Sequence, residues 1–291
     1  MGESVINRIF AKRSNCRRIK SERNARMDIF EEEGGVKLIR GDVLSVLPTF
    51  DDNSFDALIT DPPYCSGAAQ AAQRTQSPEC SYFSPSFAGS ANCPTFEDGK
   101  DQRVWMNWMT ETLRECCRVL KDGSPFFIFV DWRQLPALTD CVQVSGLTWR
   151  GVGVWHKNTG RPSYGLRHDV EFIVWGSRGQ IKDAYALRCL SSVFKYPSLL
   201  GTRRLHITQK PLGLMKDLLN VALPRVLAKT KPDFTFIDPS GFTVLDPFCG
   251  SGTTLLAAKD SGCKSVGVDS SKAYIEIARK RLLREAKNEI E

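Results

Sequence analysis

The 291-residue sequence lacks several features that mark particular classes of protein. No apolar run approaches the length of a membrane span, and the first residues lack the apolar core of a signal peptide, so we expect neither a membrane protein nor a secreted one. Histidine is scarce, with 3 residues, and the 10 cysteines include no Cys-X-X-Cys pair. We therefore expect no structural zinc, and we expect reduced thiols in a cytoplasmic protein, most of them packed in the core.

Positive charge is concentrated at the beginning of the chain. Residues 1–27 contain eight Lys and Arg against two Glu, which is +6 of the net charge of +7. We interpret residues 1–27 as a basic, flexible arm able to contact phosphate groups. A disordered leader without function, or a true start at Met27, is the alternative. Residues 28–291 have the length of a single α/β domain with a substantial core.

A glycine-rich turn between a strand and a helix is the most informative motif. The β-branched run of residues 243–245 ends at Asp246, and the turn that follows contains Gly250 and Gly252. Such a turn lets a ligand approach the backbone closely and points helix N–H groups at a negative group. A second apolar strand ends at Asp269, about 20 residues further on, where nucleotide-binding folds place a carboxylate for ribose hydroxyls. An ordinary strand–helix–strand unit is the alternative.

A second motif lies far upstream. The apolar strand of residues 57–60 is followed by Asp61, Pro62, Pro63 and Tyr64. Because two prolines cannot continue a sheet or a helix, the chain leaves the sheet in a fixed direction, with its carbonyls available as acceptors. The Asp61 carboxylate adds an anionic acceptor and Tyr64 a flat ring. Two acceptors beside a stacking ring suit a planar group that carries an amino group. A simple turn at a strand end is the alternative for this motif alone.

Together the two motifs resemble those of the amino-group DNA methyltransferases that use S-adenosylmethionine (AdoMet). The Asp61–Tyr64 motif precedes the glycine turn, and the Thr208–Pro211 motif lies just before that turn, which is the circularly permuted order of the β class. The resemblance covers about residues 36–285. It implies an α/β, Rossmann-like methyltransferase fold with a seven-stranded, mostly parallel sheet that contains one antiparallel strand.

The resemblance implies direct methyl transfer from AdoMet to the N6 amino group of adenine in double-stranded DNA, after the base has flipped out. The implied catalytic residues are Asp61, Pro62, Pro63 and Tyr64. Asp61 favours adenine, because cytosine-N4 enzymes of the β class more often carry Ser at that position. Cytosine N4, then RNA adenine, then a module that binds AdoMet or DNA without catalysis are the alternatives. The recognition sequence, a homodimer and a restriction partner are left open.

The resemblance also assigns the cofactor site. Asp42 would reach the adenine of AdoMet, Asp269 would bind its ribose, and Lys210 would pair with its methionine carboxylate. The implied cofactor-binding residues are Asp42, Asp61, Thr208, Lys210, Asp246, Pro247, Phe248, Gly250, Ser251, Gly252, Thr253 and Asp269.

Three segments are predicted to face DNA. Residues 65–103 form a long stretch of low periodicity that begins at the Asp61 motif, and residues 176–206 combine basic and aromatic side chains. Long loops of this kind are functional or disordered. The basic and aromatic segment between Lys157 and His168 suits contacts with the DNA backbone and with an unpaired base.

The remaining pattern predicts the framework. Asp131 and Trp132 follow a fully apolar strand and are expected either to line the target pocket or, for Asp131, to cap a helix. A helix is predicted from Leu212 to Leu227. The predicted strands are residues 36–40, 57–60, 125–130, 147–156, 170–175, 243–246 and 264–269.

Overall fold

The computed structural model describes most of the proposed domain. The residues described are 27–32, 34–65, 101–158, 165–181, 191–198, 209–223, 225–227, 234–236 and 238–288. Several predictions lie outside the described residues. These are the basic arm except Met27, most of the 65–103 loop, residues 159–164 of the segment between Lys157 and His168, about half of the 176–206 segment, and Thr208.

The described residues form eleven strands and six α-helices. The strands are β1 (Asp28–Glu32), β2 (Val36–Arg40), β3 (Ala57–Thr60), β4 (Pro125–Val130), β5 (Thr148–His156), β6 (Val170–Ser177), β7 (Val193–Lys195), β8 (Arg225–Leu227), β9 (Phe234–Phe236), β10 (Thr243–Asp246) and β11 (Lys264–Asp269). The helices are α1 (Val43–Val46), α2 (Gln102–Val119), α3 (Leu135–Val144), α4 (Leu212–Ala222), α5 (Thr253–Asp260) and α6 (Lys272–Asn288). Nine strands form one sheet in the order β1-β2-β11-β10-β3-β4-β6-β5-β7, and β8 pairs with β9 separately.

The seven strands predicted from the sequence lie side by side in this sheet. β2, β11, β10, β3 and β4 are parallel to one another. β6 runs antiparallel to both of its neighbours, β4 and β5. The α/β class and the mostly parallel sheet with its inserted antiparallel strand are therefore confirmed.

Two further strands, which the sequence analysis did not predict, extend the sheet from seven strands to nine. β1 pairs antiparallel with β2, and Asp28 lies opposite Arg40, with 2.8 Å between the carboxylate and the guanidinium. β7, a strand of three residues, pairs parallel with β5. Both are short strands with charged residues at the sheet edges, as is usual for strands that must not pair with another chain.

The core lies on both faces of the sheet. All six residues of β4 are buried. Leu58, Phe126 and Ile128 pack beneath α2 and α3, whereas Ile59 and Phe129 pack beneath α4 and α5 on the opposite face. This alternation follows from the period of two in a strand, and it explains why the β3 and β4 sequences are apolar without a break.

The helix predicted from Leu212 to Leu227 is shorter than expected. α4 ends at Ala222, and Leu223 has an extended backbone, with φ −64° and ψ 129°. Pro224 follows, and a proline disfavours helical backbone in the residue before it. The last part of the predicted helix is β8, so that prediction is wrong beyond Ala222.

Two features are absent from the described ranges. None of their helices is long and apolar enough to cross a membrane. Their His, Cys, Asp and Glu side chains form no group of three or more that could hold a metal ion.

Gly176 provides a test of the sheet register. An added Cβ would lie 2.0 Å from the Thr148 carbonyl oxygen and 2.6 Å from the Phe126 ring. Because β6 is held between two partner strands, we expect Gly176→Ala to lower the free energy of unfolding by at least about 2 kcal/mol, measured by urea denaturation. At Gly241 an added Cβ meets nothing within 4 Å. Gly241→Ala should therefore change stability by less than about 0.5 kcal/mol. Equal losses would contradict the register.

Candidate active site

Acidic residues follow the parallel strands at one edge of the sheet. Asp42 comes just after β2, Asp269 and Asp246 end β11 and β10, Asp61 follows β3, and Asp131 follows β4. These strands are neighbours in the order β2-β11-β10-β3-β4. The carboxyl edge of a parallel sheet is where α/β folds bind their ligands. The sheet therefore brings together residues that are up to 227 positions apart in the sequence.

Asp246 links the two sequence motifs. Its Oδ1 accepts a hydrogen bond from the Thr60 hydroxyl at 2.7 Å and another from the Phe248 N–H at 3.1 Å. Burial raises the pKa of Asp246 to about 6, although the hydroxyls of Thr254 and Thr60 and the Phe248 N–H oppose the rise. The residue before Asp61 is thereby fixed to the first residue of the glycine turn.

The glycine turn has the backbone geometry that its sequence predicted. Gly250 and Gly252 have φ of 49° and 79°, in the left-handed region that favours glycine. Asp269 accepts hydrogen bonds from the N–H groups of Gly250 at 3.0 Å and Ser271 at 2.7 Å. Burial raises the pKa of Asp269 to about 6, against the effect of those two bonds. The turn and the carboxylate are therefore one connected unit.

An arginine that the sequence analysis did not single out also holds the turn. Arg281 of α6 donates to the Ser251 carbonyl at 2.6 Å, to the Ser251 hydroxyl at 3.0 Å and to the Thr253 hydroxyl at 3.1 Å. These contacts fix both residues on either side of Gly252. The sequence gives no sign of this role, because Arg281 lies in a basic helix with many similar side chains.

Asp61 and Tyr64 form a hydrogen-bonded pair. The Tyr64 hydroxyl donates to Asp61 Oδ1 at 2.5 Å. The backbone between them is held from outside, since the Trp105 indole N–H donates to the Pro63 carbonyl at 2.7 Å and the Gln134 amide donates to the Tyr64 carbonyl at 2.8 Å. The Pro63 carbonyl is thus occupied, contrary to the expectation that both proline carbonyls are free acceptors.

The Pro62 carbonyl differs from the Pro63 carbonyl in its hydrogen bonding. Pro62 is buried, and its carbonyl accepts no hydrogen bond from the residues that the structure describes. It is therefore the proline carbonyl that remains suitable for the predicted role as an acceptor beside the Asp61 carboxylate.

Lys210 contacts the Asp61–Tyr64 pair. The expected pairing of Lys210 with the methionine carboxylate of AdoMet stays a prediction. Its side chain is 5% exposed and is ion-paired with Asp61 Oδ2 and, at 3.2 Å, with Glu171 Oε2. Its Nζ is also 3.3 Å from the Tyr64 hydroxyl and 5.0 Å from the centre of the Phe129 ring. Burial alone would lower the pKa of Lys210, but the two carboxylates outweigh it and raise the pKa. Lys210 is therefore a cation.

Glu171 is the residue of this site that the sequence analysis missed. It lies on β6, and its Oε1 is 2.6 Å from the Lys157 ammonium. Burial raises the pKa of Glu171, but Lys210 and Lys157 outweigh burial and lower it. A single carboxylate in the apolar run of β6 was a usable signal, since buried carboxylates are normally paired. Its partners come from distant segments and could not be named.

The pKa of Asp61 shifts in the opposite direction to the pKa of Glu171. Burial raises the pKa of Asp61, and the negative charge of Glu171 adds to the rise, while Lys210 and the Tyr64 hydroxyl oppose it. Burial and the same two carboxylates raise the pKa of Tyr64 well above its usual value, so the phenol stays protonated.

Asp131, Trp132 and Asp42 occupy the positions that their strands dictate. Asp131 Oδ1 accepts from the N–H groups of Arg133 at 3.1 Å and Gln134 at 3.0 Å, in the turn before α3. The N-cap residue of α3 is Gln134 and no side chain caps this helix, so the helix-capping alternative for Asp131 is wrong. Trp132 is 51% exposed and stacks on the His168 ring at 5.9 Å. Asp42 caps α1 through the N–H of Ser45 at 3.1 Å. Its expected contact with adenine stays a prediction.

A family model described as a DNA methylase matches residues 55–280. The chain belongs to the DNA methylase family. The match includes both motifs and the strands that carry them, so the expected methyltransferase class is confirmed, and with it AdoMet as the methyl donor of the family.

The methylase is similar to two type II methyltransferases. It is 26% identical over 279 residues to M2.DpnII of Streptococcus pneumoniae, covering 87% of this chain and 90% of the relative. It is 25% identical over 271 residues to M.HpaI of Haemophilus parainfluenzae, covering 84% of this chain and 74% of the relative.

Solved structures share the fold of the methylase. The M1.HpyAVI–SAM complex superposes with a TM-score of 0.55 at 22% identity, covering 85% of this chain and 98% of that one. The cytosine-N4-specific PvuII DNA methyltransferase superposes with a TM-score of 0.60 at 14% identity, covering 87% of this chain and 90% of that one. At these identities the likeness concerns the fold.

The raised pKa values of Asp246 and Asp269 predict an unusual dependence of stability on pH. Both carboxyls have a pKa of about 6 in the folded protein, against 3.8 as the usual value. Between these values the folded state binds more protons than the unfolded chain, so the free energy of unfolding falls as the pH rises from about 4 to about 6. Asp246→Asn keeps an acceptor for Thr60 and removes one of the two titrations.

We therefore expect Asp246→Asn to raise the free energy of unfolding by about 1–3 kcal/mol at pH 8 and to change it little at pH 4. Urea denaturation of the ligand-free protein at both pH values measures this difference. The exposed Asp51→Asn is the control and should have a small effect at both pH values. The same change at pH 4 and pH 8 for Asp246→Asn would contradict a raised pKa.

Proposed function

We propose that this methylase transfers the methyl group of AdoMet to the N6 amino group of adenine in DNA, with the target base rotated out of the duplex. The observation that carries the proposal is the position of Asp61, which directly follows β3 beside the glycine turn. The family assignment supplies the reaction class. The residue at position 61 supplies the argument for adenine, because cytosine-N4 enzymes of the β class more often carry Ser there.

The geometry around Asp61 fits an exocyclic amine. Such an amine is a poor nucleophile because its lone pair is delocalised into the ring. The Asp61 carboxylate and the Pro62 carbonyl are two acceptors that follow one another in the chain, so they could take the two N–H groups of one amine. Acceptors fixed before the reaction stabilise the positive charge that develops on the nitrogen. The Trp105 and Gln134 contacts keep these acceptors in place.

The residues at the glycine turn fit the cofactor. AdoMet carries ribose hydroxyls, and each oxygen of Asp269 accepts one backbone N–H and keeps a further lone pair for a hydroxyl. At Gly250 an added Cβ would point into open space. When bound there, AdoMet supplies a methyl group that its sulfonium makes reactive. The contribution of the protein is mainly the alignment of the amine with that group.

Base flipping is part of the proposal because Asp61 is only partly exposed. Its side chain is 21% exposed and lies at the carboxyl edge of the buried parallel strands. An adenine stacked within a duplex could not bring its amino group to this carboxylate, whereas an extrahelical base could. Tyr64 is the ring beside Asp61 that we assign to stacking on the base.

The fold does not distinguish adenine from cytosine as the target. The PvuII cytosine-N4 enzyme has the same fold, so cytosine N4 is the second candidate. Both reactions need an amine held against two acceptors. The chemical identity of the product therefore has to be measured directly.

The product test uses DNA from a methylation-free bacterial host that expresses the chain. Single-molecule sequencing of that DNA should find N6-methyladenine confined to one short sequence, because a base is methylated only when the protein selects and rotates it. Cytosine-N4 marks would replace the proposal with the second candidate. An absence of marks, with AdoMet binding intact in calorimetry, would point to RNA or to a protein without catalysis.

The Asp61 test separates chemistry from cofactor binding. Asp61→Ala should lower the rate of methyl transfer by at least about 10³-fold, because the amine loses its anionic acceptor. AdoMet affinity should change by less than about 10-fold if the glycine turn and Asp269 carry most of the cofactor binding. The measurements are incorporation of labelled methyl groups into unmethylated genomic DNA and titration calorimetry with AdoMet. Asp51→Ala is the control, and normal turnover by Asp61→Ala would refute the assignment.

A further inference from the structure

Four charged side chains meet at the proposed target site. We call Asp61, Lys210, Glu171 and Lys157 the charge cluster. Lys210 bridges Asp61 and Glu171, and Lys157 contacts the second oxygen of Glu171. Two carboxylates and two ammonium groups make the cluster neutral, which is the condition under which buried charges are tolerated. Glu171 and Lys157 have no part in the chemistry proposed above.

Lys210 occupies the side of Asp61 that the proposed reaction needs for the target amine. Each oxygen of Asp61 already has one partner, Oδ1 the Tyr64 hydroxyl and Oδ2 the Lys210 ammonium. The target amine needs one of these oxygens and gains positive charge during methyl transfer. An ammonium on the same oxygen would repel that charge. Lys210 therefore has to move away from Asp61 before the reaction.

A buried ammonium that loses its partner carries a large energetic penalty, so Lys210 can leave Asp61 only if another anion receives it. The methionine carboxylate of AdoMet, which the resemblance implies as a partner of Lys210, is one such anion, and Glu171 is the one that already contacts Lys210 within the protein. Glu171 meets this requirement. Its Oε2 is 3.2 Å from the Lys210 Nζ, close enough to keep the pair during a small displacement. Lys157 holds the other oxygen of Glu171 at 2.6 Å, which keeps the carboxylate ionised and oriented.

We propose that Glu171 is a positioning residue that retains Lys210 when the amino group of the target base takes the place of Lys210 on Asp61. This inference rests on the proposed function, because it concerns the same amine and the same carboxylate. It adds a role for Glu171, which acts through Lys210 and does not touch the base. The role requires the negative charge of Glu171 and not only its hydrogen bonds.

The test compares steady-state kinetics of the full chain and of Glu171→Gln. The substrates are labelled AdoMet and unmethylated genomic DNA. Glutamine keeps the shape and one acceptor but removes the charge, so Lys210 stays on Asp61. We expect kcat to fall about 10-fold or more, while KM for AdoMet and for DNA changes less than about 3-fold. Glu171→Asp keeps the charge and should recover part of kcat. Glu31→Gln, an exposed surface carboxylate, is the matched control and should have no effect.

A double-mutant cycle tests whether Glu171 acts through Lys210. In a Lys210→Met background no cation has to be received, so adding Glu171→Gln should lower kcat by less than about 2-fold. If Lys210→Met transfers no measurable methyl group, the recovery by Glu171→Asp becomes the deciding comparison.

The outcomes separate this inference from the proposed function. An active wild-type protein whose kcat is unchanged in Glu171→Gln overturns the inference alone. So does a rise in KM without a fall in kcat, an equal effect of Glu171→Gln in both backgrounds, or a Glu171→Asp variant no better than Glu171→Gln. A wild-type protein that transfers no methyl group to any DNA amine refutes the proposed function, and the inference fails with it.

Discussion

The hydrogen bond from Thr60 to Asp246 is the contact on which the arrangement of the site depends. It joins two residues 186 positions apart, at the ends of the adjacent parallel strands β3 and β10. Because Thr60 precedes Asp61 and Asp246 begins the glycine turn, this one bond fixes the proposed amine site relative to the proposed cofactor site. Methyl transfer depends on alignment, so such a fixed relation is what the reaction needs from the fold.

The apolar strands and the acidic edge depend on each other. The helices that connect the parallel strands cover both faces of the sheet, so the strands are buried on both faces, and parallel pairing places all their carboxyl ends at one edge. Burial at that edge raises the pKa of Asp246 and Asp269 to about 6. Hydrogen bonds from backbone N–H groups and hydroxyls offset part of the free-energy cost of burying these two carboxylates. Around Asp61 and Glu171 hydrogen bonds alone do not offset the cost of burial, and the ammonium groups of Lys210 and Lys157 supply the opposite charge.

Much of this arrangement could be predicted from the sequence, because it is encoded locally. Apolar runs and alternating apolar residues identified the seven central strands, and the positive φ of Gly250 and Gly252 is the conformation that a glycine turn requires. β1 and β7 escaped prediction because they are short and charged. Glu171 escaped for a different reason. Its significance comes from Lys157 and Lys210, which reach it from segments whose proximity only the folded sheet determines.

The choice of target base must be decided by local chemistry and not by the fold. The PvuII cytosine-N4 enzyme has a similar arrangement of strands at 14% identity, so strand order cannot select between two exocyclic amines. What remains is the set of groups at the proposed amine site. Here that set is an anionic acceptor, a proline carbonyl, a tyrosine ring and a buried lysine that is ion-paired with two carboxylates. An aspartate at position 61 brings a negative charge that the protein must neutralise when no substrate is bound. Lys210 supplies the opposite charge, and Glu171 is ion-paired in turn with Lys210 and Lys157. A site built on a neutral acceptor would not require a cation at this position.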